Sequence, residues 1–357
     1  MSEEANSAAM QPTTRDGLLS ELTDEDSADS QRVSLLESPL SSPLMSPLAI
    51  STILKPSALD TNLAKYLSAK EPLVASINLA AGPNFNRLQV ASLANPNAEK
   101  IPTDLYCTRV HFSAGAGICL KDQIQSLSAQ TLVTIFDDTF QPIKSFLANG
   151  IPSRARVSPT GRHVAFTVFV LGHSYAGDEF STATFLQETN ADITQGSNLE
   201  EFTVFQDGEE IDYPDFNYWG VTFSQDEDTF YATLRFNGTR NLVRGSIKDR
   251  TITVLHENVE CPSLSPDETR VAFKHRIGLG RWRLTVMDLA TFAQTPLAET
   301  STVDVQAVWL DNDNVLYSVA NRNPPPIESV FVVPADGTGE PRIYIEAARE
   351  ATLIHES

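Results

Sequence analysis

The chain has 357 residues, with 46 acidic and 26 basic side chains and a net charge of −20. This balance argues against nucleic acid as a partner, because phosphate binding draws on clustered Lys and Arg, and the sequence has no such cluster. No stretch approaches the ~20 consecutive apolar residues of a membrane-spanning helix, so no membrane insertion is expected.

Residues 1–60 differ in composition from the rest of the chain. They hold 10 acidic and 3 basic residues, twelve serines and no aromatic residue. Because such a segment has too little apolar surface to offset the entropy lost on ordering, residues 1–56 are predicted to form a disordered acidic extension. The N-terminus lacks the basic and apolar regions of a secretory signal, which predicts a cytoplasmic location.

Three Ser-Pro-Leu triplets follow one another between residues 38 and 48. Proline at every fourth position blocks both helix and sheet and favours extended chain. The segment 34–56 is therefore interpreted as a stiff linker, and docking or phosphorylation by a partner is the alternative.

A short helix is predicted over residues 57–69. Ser57 suits the cap position, and Asp60, three residues on, suits a capping box. The apolar side chains that would share one face of this helix are Leu59, Leu63, Tyr66 and Leu67. This face predicts a lid that packs against the body of the protein.

From about residue 70 the sequence consists of short apolar runs separated by turn residues, and two repeat types recur. The first is clearest at 157–166 (VSPTGRHVAF) and 264–273 (LSPDETRVAF), and weaker copies begin at Ser113, Ser224 and Leu310. The second is a strand, a polar turn and a strand. Its six copies are marked, at spacings of 45, 50, 58, 43 and 46 residues, by Val90, Ile135, Phe185, Val243, Val286 and Val332.

This period indicates the fold. Ser-Pro-Asp or Ser-Pro-Thr-Gly segments favour tight turns, and four strands in ~40–50 residues form a small sheet that cannot bury both faces alone. Radial packing of six such sheets buries those faces. We therefore predict an all-β fold, a six-bladed β-propeller over 70–348, with a C-terminal tail over 349–357.

The repeats at 158–166 and 265–273 resemble the TolB-type propeller repeat family. The body is also similar to the TolB-like, translocation-related proteins of bacterial cell envelopes in the stretches 109–112, 150–157, 217–223 and 260–265. The resemblance implies a non-enzymatic scaffold that binds a protein or peptide. It also implies a location in the cell envelope or periplasm, which is the alternative to the cytoplasm.

The motif Gly-His-Ser-Tyr-Ala-Gly at 172–177 is the strongest catalytic candidate. It resembles the G-x-S-x-G elbow of α/β-hydrolases, which would make Ser174 a nucleophile. However, Ala176 replaces the second glycine, and the following residues predict a loop and a strand instead of a helix. A long polar loop between two strands is the favoured interpretation, and a serine hydrolase is the alternative.

The strand before each Ser-type turn is expected to line the central channel, where basic side chains could attract an anionic peptide or small ligand. Together with a histidine of the 172–177 loop, the candidate ligand-binding residues are Arg109, Arg154, Arg156, His173, Asn217, Trp219, Glu260 and Gln306. One alternative is that the channel residues hydrogen bond only to one another and to the strands around them. Another is that the channel contains the active site of a different kind of enzyme, such as a lyase. A third is that the protein is a structural subunit of an assembly.

No cofactor or metal site is predicted. The glycines at 115–117 indicate a hairpin turn, not a phosphate loop, and the acidic run at 311–314 indicates a turn, not a calcium loop. The six histidines show neither i, i+4 pairing nor a Cys-x-x-Cys neighbour. Cys107 and Cys119 could pair and leave Cys261 free, or all three could be buried thiols.

Overall fold

The structure is a computed structural model that describes residues 61–68, 71–125, 128–177, 179–191, 196–320 and 326–354. The predicted disordered extension over 1–56 and the segment 34–56 lie outside the described residues. Within those residues, no helix has the length and apolar character needed to cross a membrane.

The described residues form one α-helix, α1 (Thr61–Ser68), a single 3-10 turn (Leu199–Glu201) and a series of strands. The first nine strands are β1 (Leu73–Asn78), β2 (Arg87–Ser92), β3 (Ile101–Tyr106), β4 (Arg109–Ser113), β5 (Ala116–Gln125), β6 (Ser128–Asp137), β7 (Pro142–Asn149), β8 (Ile151–Val157) and β9 (His163–Leu171). The next nine are β10 (Ser181–Glu188), β11 (Ser197–Asn198), β12 (Thr203–Gln206), β13 (Glu209–Ile211), β14 (Asn217–Phe223), β15 (Thr229–Phe236), β16 (Thr239–Ser246), β17 (Thr251–Glu257) and β18 (Glu260–Leu264). The remaining strands are β19 (Arg270–Gly278), β20 (Arg281–Asp288), β21 (Gln294–Pro296), β22 (Val308–Trp309), β23 (Asn314–Ala320), β24 (Glu328–Pro334), β25 (Arg342–Ile345) and β26 (Ala348–Ile354).

These strands form six sheets, which are the six blades of a β-propeller. Blades 2, 3, 5 and 6 are β4–β7, β8–β11, β18–β21 and β22–β25, each in sequential order. Blade 4 holds six strands in the order β14-β15-β16-β17-β12-β13, from the inside outwards. The innermost strands β26, β4, β8, β14 and β18 contact one another in turn, and they surround the central channel. The predicted six-bladed propeller is confirmed.

Blade 1 closes the ring with strands from both ends of the propeller. Its order is β26-β1-β2-β3, and β26 pairs antiparallel with β1 through Val74↔Leu353 and Leu73↔Ile354. The prediction of a C-terminal tail from residue 349 is therefore wrong for residues 349–354, which form the innermost strand of blade 1. The sequence pattern missed this strand because β26 and its neighbour β1 lie far apart in the sequence, so no Ser-type turn joins them.

Both predicted repeat types occupy equivalent places in the blades. All six marks of the second type lie in the third strand of their blades, on β2, β6, β10, β16, β20 and β24. The Ser-type turns join the first and second strands of blades 2 to 6. Ser158 shows why serine suits this turn: its N–H donates to His163 O at 2.8 Å, and its Oγ accepts from His163 N at 3.0 Å. Gly161 adopts a φ of +75°, and a Cβ there would lie 2.7 Å from Ala114 O.

The longest predicted interval, 58 residues between Phe185 and Val243, has a structural cause. After the two-residue strand β11 the chain leaves blade 3 and adds β12 and β13 to the outer edge of blade 4. There β12 pairs in parallel with β17, through Val204↔Ile252. The extra residues therefore widen one blade and add no further blade.

Apolar side chains fill the space between neighbouring blades. Ile118 and Ile135 of blade 2 share one buried cluster with Val164 and Phe166 of blade 3. The predicted lid is also present, because Leu63 of α1 is 3% exposed and packs in the cluster between blades 1 and 2. The predicted capping residues and Leu59 lie outside the described residues.

The structure agrees with one of the two alternatives that the sequence allowed for the cysteines. Cys107, which follows β3, forms a disulfide with Cys119 of β5, so the bond ties blade 1 to blade 2. Cys261 is a buried free thiol in β18.

Candidate functional site

One end of the central channel is occupied by the connection between β21 and β22, residues 297–307, here called the plug loop. Gln306 Nε2 donates to Val221 O of blade 4 at 2.9 Å and to Pro262 O of blade 5 at 2.8 Å. Ala307 O accepts from Arg156 Nη2 of blade 3 at 3.2 Å. The plug loop thus contacts the inner strands of blades 3, 4 and 5, and only about 20 Å³ of space remains at this depth.

The opposite end of the channel opens into a cavity of about 360 Å³, here called the channel cavity. It lies where the inner strands end and the Ser-type turns begin, and every blade contributes to its wall. One lining residue from each of blades 1 to 6 in order is Thr352, His111, Arg156, Thr222, Glu268 and Trp309. The volume lies within the ~300–1,000 Å³ typical of ligand pockets.

Arg156 lies at the floor of the channel cavity, between the cavity and the plug loop. Its side chain is buried, and its Nη1 lies 3.0 Å from Nε2 of His111. Burial lowers the pKa of Arg156 to about 10, so the guanidinium remains charged at neutral pH. Burial, with the charge of Arg156, holds the pKa of His111 well below 6.5, so this ring is neutral.

Glu268 lies at the wall of the same cavity and is held by its neighbours. Its carboxylate accepts from Ser224 Oγ at 3.1 Å and from Gln225 N at 2.5 Å. The channel cavity therefore has a cation at its floor and one fixed carboxylate on its wall. That arrangement selects against a ligand with a concentrated negative charge near Glu268.

A second group of charges lies around the plug loop, away from the cavity. Lys274 is fully buried, and its Nζ lies 2.5 Å from Asp304 Oδ1 and 3.9 Å from Glu260 Oε2. Arg154 Nη2 lies 3.3 Å from Asp304, and Arg240 Nε lies 3.4 Å from Glu260. Burial alone would raise the pKa of Asp304, but the charges of Lys274 and Arg154 outweigh it and hold the pKa below its usual value. All three cations pair with one of the two carboxylates, so the cluster is a structural network with one net positive charge.

The loop at 172–177 joins β9 to β10 and is anchored by its aromatic residue. Tyr175 is buried, stacks on Trp219 at 4.8 Å between ring centroids, and hydrogen bonds to Ser153. Ser174 is exposed, and its Oγ accepts from Ala176 N at 3.1 Å. A strand follows this loop, as the sequence indicated, where a nucleophile elbow would have a helix.

The structure places the predicted ligand-binding residues in four locations. Arg154, Arg156 and Gln306 come together at the narrow middle of the channel, and Arg109 adjoins them through its ion pair with Glu350 at 3.2 Å. Of this group, only Arg156 lines the channel cavity.

The other predicted residues are separated from the cavity. Trp219 and Glu260 are fully buried beside the plug loop, and Glu260 accepts from Trp282 Nε1 at 2.8 Å. Asn217 is buried and joins blades 3 and 4, because its Oδ1 accepts from Thr182 N at 2.8 Å. His173 is exposed on the 172–177 loop.

Four cavity residues, His111, Thr352, Glu268 and Trp309, were not predicted. His111 could have been found, because it alternates with Arg109 along β4 and shares its face. Thr352 lies within 349–357, for which the sequence predicts a tail, but the structure places it in β26. In the described ranges, no three His, Cys, Asp or Glu side chains converge on a point that could hold a metal ion.

Comparisons with known proteins place the chain by its fold. No family model matches the sequence, and no curated protein matches it. TolB from Acinetobacter baumannii superposes with a TM-score of 0.52 at 14% identity, over 80% of this chain and 67% of that chain. A chain of a nidogen/laminin complex superposes with a TM-score of 0.53 at 10% identity, over 80% of this chain and 99% of that chain.

A puromycin-hydrolysing peptidase from Mycobacterium tuberculosis is also similar. Its TM-score is 0.46 at 14% identity, over 74% of this chain and 42% of that chain. Identities at this level concern the fold alone. The chain has a TolB-like β-propeller fold, as its repeats indicated.

Proposed function

We propose that this protein is a non-catalytic binding scaffold that takes a segment of a protein or peptide into the channel cavity. The observation that carries the proposal is the cavity itself: all six blades line it, and the plug loop occupies the channel beyond it. A channel occupied at one end is suited to receiving a chain segment and unsuited to passing one through.

The composition of the wall supports a peptide more than a small polar molecule. Leu264, Leu310 and Leu353 are partly exposed and offer apolar contact area, while Ser113 and Gln225 offer polar groups. Pockets that combine apolar surface with a few fixed polar groups bind chain segments with defined orientation. The similarity to a chain from a nidogen/laminin complex, an assembly of two proteins, agrees with such a role.

A pair of neighbouring substitutions tests the proposal. Pro159 and Thr160 are both exposed in the same turn, but only Pro159 lines the cavity. Peptides selected from a displayed library of random dodecamers on the full chain should bind Pro159→Trp at least tenfold more weakly, because the indole covers the cavity mouth. Thr160→Trp should bind them within twofold of the wild type. A library with no enriched peptide, or peptides that bind both variants equally, would refute the proposal.

The absence of catalysis is part of the proposal and has its own test. Ser174 Oγ accepts a hydrogen bond from its own loop, and the exposed His173 beside it makes no hydrogen bond to it among the described residues. We expect no labelling of the folded chain by a fluorophosphonate probe. Labelling that is lost in Ser174→Ala would establish the serine hydrolase alternative.

The disulfide favours an oxidising compartment for this protein, in line with the envelope or periplasmic alternative. Structural disulfides such as Cys107–Cys119 persist in exported proteins and are rare in the cytosol. Alkylation of freshly lysed native cells under denaturing, non-reducing conditions should modify neither cysteine of this pair. Full modification of both in native cells would place the protein in a reducing compartment.

A further inference from the structure

Arg156 differs from the other buried cations of the propeller. Lys274 and Arg154 pair with Asp304, and Arg240 pairs with Glu260. Arg156 is 6% exposed, yet it makes no ion pair in the described part of the chain, and its Nε has no hydrogen-bond partner there. A buried charge without a counter-ion destabilises the fold, so an unpaired guanidinium at the floor of a cavity is a feature that requires a cause.

Glu350 is the acid whose charge favours the charged form of Arg156, but its carboxylate is paired with another residue. Glu350 is half-buried, and its Oε1 lies 3.2 Å from Nη1 of Arg109. Arg109 therefore takes the carboxylate that would otherwise neutralise Arg156. The cavity floor keeps one uncompensated positive charge.

The ring of His111 adds a surplus of hydrogen-bond donors at the same place. Val157 N donates towards its Nδ1 at 3.1 Å, and Arg156 Nη1 donates towards its Nε2 at 3.0 Å. A neutral imidazole has one N–H and one acceptor nitrogen, so it accepts only one of these two donors. Whichever tautomer is present, one N–H group at the cavity floor has no acceptor.

We infer that the floor of the channel cavity is a carboxylate-binding site, in which Arg156 pairs with an acidic side chain or the C-terminal carboxylate of the bound segment. The inference rests on the proposed function for the identity of the ligand, but the site follows from Arg156 and His111. A guanidinium presents parallel N–H groups that match the two oxygens of a carboxylate. The fixed carboxylate of Glu268 on the wall disfavours a doubly charged phosphate in the same cavity.

The site can be tested without knowledge of the partner. In the full chain labelled with 15N-arginine, succinate should shift the Nε–Hε signal of Arg156 in a saturable manner. The uncharged analogue succinamide should leave that signal in place. The signal of Arg87, which pairs with Asp104 at 2.8 Å on the surface, serves as the internal control and should not move with either compound. Succinate should also raise the melting temperature of the wild type, and Arg156→Gln should abolish this stabilisation.

Peptides from the displayed library then identify the source of the carboxylate. Amidation of the C-terminus, or replacement of one Glu or Asp by its amide, should weaken binding at least ~10-fold, as expected for loss of a charged hydrogen bond. The first result assigns the C-terminal carboxylate and the second assigns a side chain.

The outcomes separate this inference from the proposed function. Two results would overturn the carboxylate site and leave the binding role intact. The first is that the selected peptides are excluded by Pro159→Trp but bind equally well as acids and as amides. The second is that succinate does not shift the Nε–Hε signal of Arg156. A response to succinate without any enriched peptide would support the site and count against the peptide-binding role. If Arg156→Gln does not fold, the comparison of succinate with succinamide on the wild type still shows whether Arg156 binds a carboxylate.

Discussion

Replacement of Lys274 by methionine should destabilise the propeller through charge and leave its packing nearly unchanged. The Lys274 side chain is fully buried, its Nζ lies 2.5 Å from Asp304, and the fully buried Glu260 lies 3.9 Å away. Methionine is similar in length, so it keeps the contact with the ring of Trp282, over which Nζ lies at 4.2 Å. The substitution therefore removes the ammonium charge from between two carboxylates.

The expected loss in unfolding free energy depends on the partners that Glu260 and Asp304 keep after the substitution. Removal of one partner of a buried ion pair typically costs ~3–5 kcal/mol, because the other charge stays buried. Glu260 keeps Arg240 and Trp282 as partners, and the side chain of Asp304 is 42% exposed and keeps Arg154. The loss in unfolding free energy should therefore lie at the lower end, about 3 kcal/mol.

Urea denaturation followed by tryptophan fluorescence measures this loss, since Trp282 lies in the affected cluster. Lys248→Met, at an exposed lysine, is the matched control and should change stability by less than ~0.5 kcal/mol. Peptide binding in the channel cavity should stay within twofold of the wild type. A loss below ~1 kcal/mol for Lys274→Met, or a loss of peptide binding without a loss of stability, would refute the interpretation of this cluster as a structural network.

Three further expectations concern closure, the disulfide and pH. Truncation after residue 347 removes β26, so circular dichroism and gel filtration should show an unfolded or aggregated chain; a folded monomer would contradict closure of blade 1 by this strand. Replacement of Cys107 and Cys119 by serine should lower the free energy of unfolding by about 3 kcal/mol, the loop-entropy value for a 12-residue separation, and a reducing agent should then have no further effect. The lowered pKa of His111 makes the free energy of unfolding depend on pH. The stabilising contribution of the neutral ring is complete above the unfolded-state pKa of about 6.5. Below that pH it falls by ~1.4 kcal/mol per pH unit, down to the lower pKa of the folded state. His111→Gln should reduce this slope between pH 6.5 and 5, and an unchanged slope would show that the ring titrates normally.

The fold was predictable because its repeats carry a local physical signature. The turn beginning at Ser158 needs a hydroxyl that accepts an N–H five residues later and a residue with positive φ at Gly161, and both requirements are visible in the sequence. The alternation of apolar residues marks the third strand of each blade in the same way. Six sheets of this size have few ways to bury both faces, so the architecture follows.

The candidate site was less predictable, because it depends on contacts between distant parts of the chain. The plug loop has no repeat signature, and its Gln306 finds its partners 85 and 44 residues away, at Val221 and Pro262. Because this loop enters the channel, Arg154 pairs with Asp304 of the loop, and Glu260 is enclosed with the buried Lys274, where the sequence suggested water. Arg156 alone among the predicted residues reaches the channel cavity, and the engagement of Glu350 by Arg109 can be seen only in three dimensions.

Site-specific photocrosslinking tests the account most directly. A photoreactive amino acid at Leu310, on the wall of the channel cavity, is compared with the same residue at Leu279, which is 78% exposed at the opposite end of blade 5. A library-selected peptide should crosslink to the Leu310 probe, and Pro159→Trp should remove that crosslink. Crosslinking from Leu279 with none from Leu310 would show that the partner binds the other face of the propeller, and would contradict the proposed role of the channel cavity.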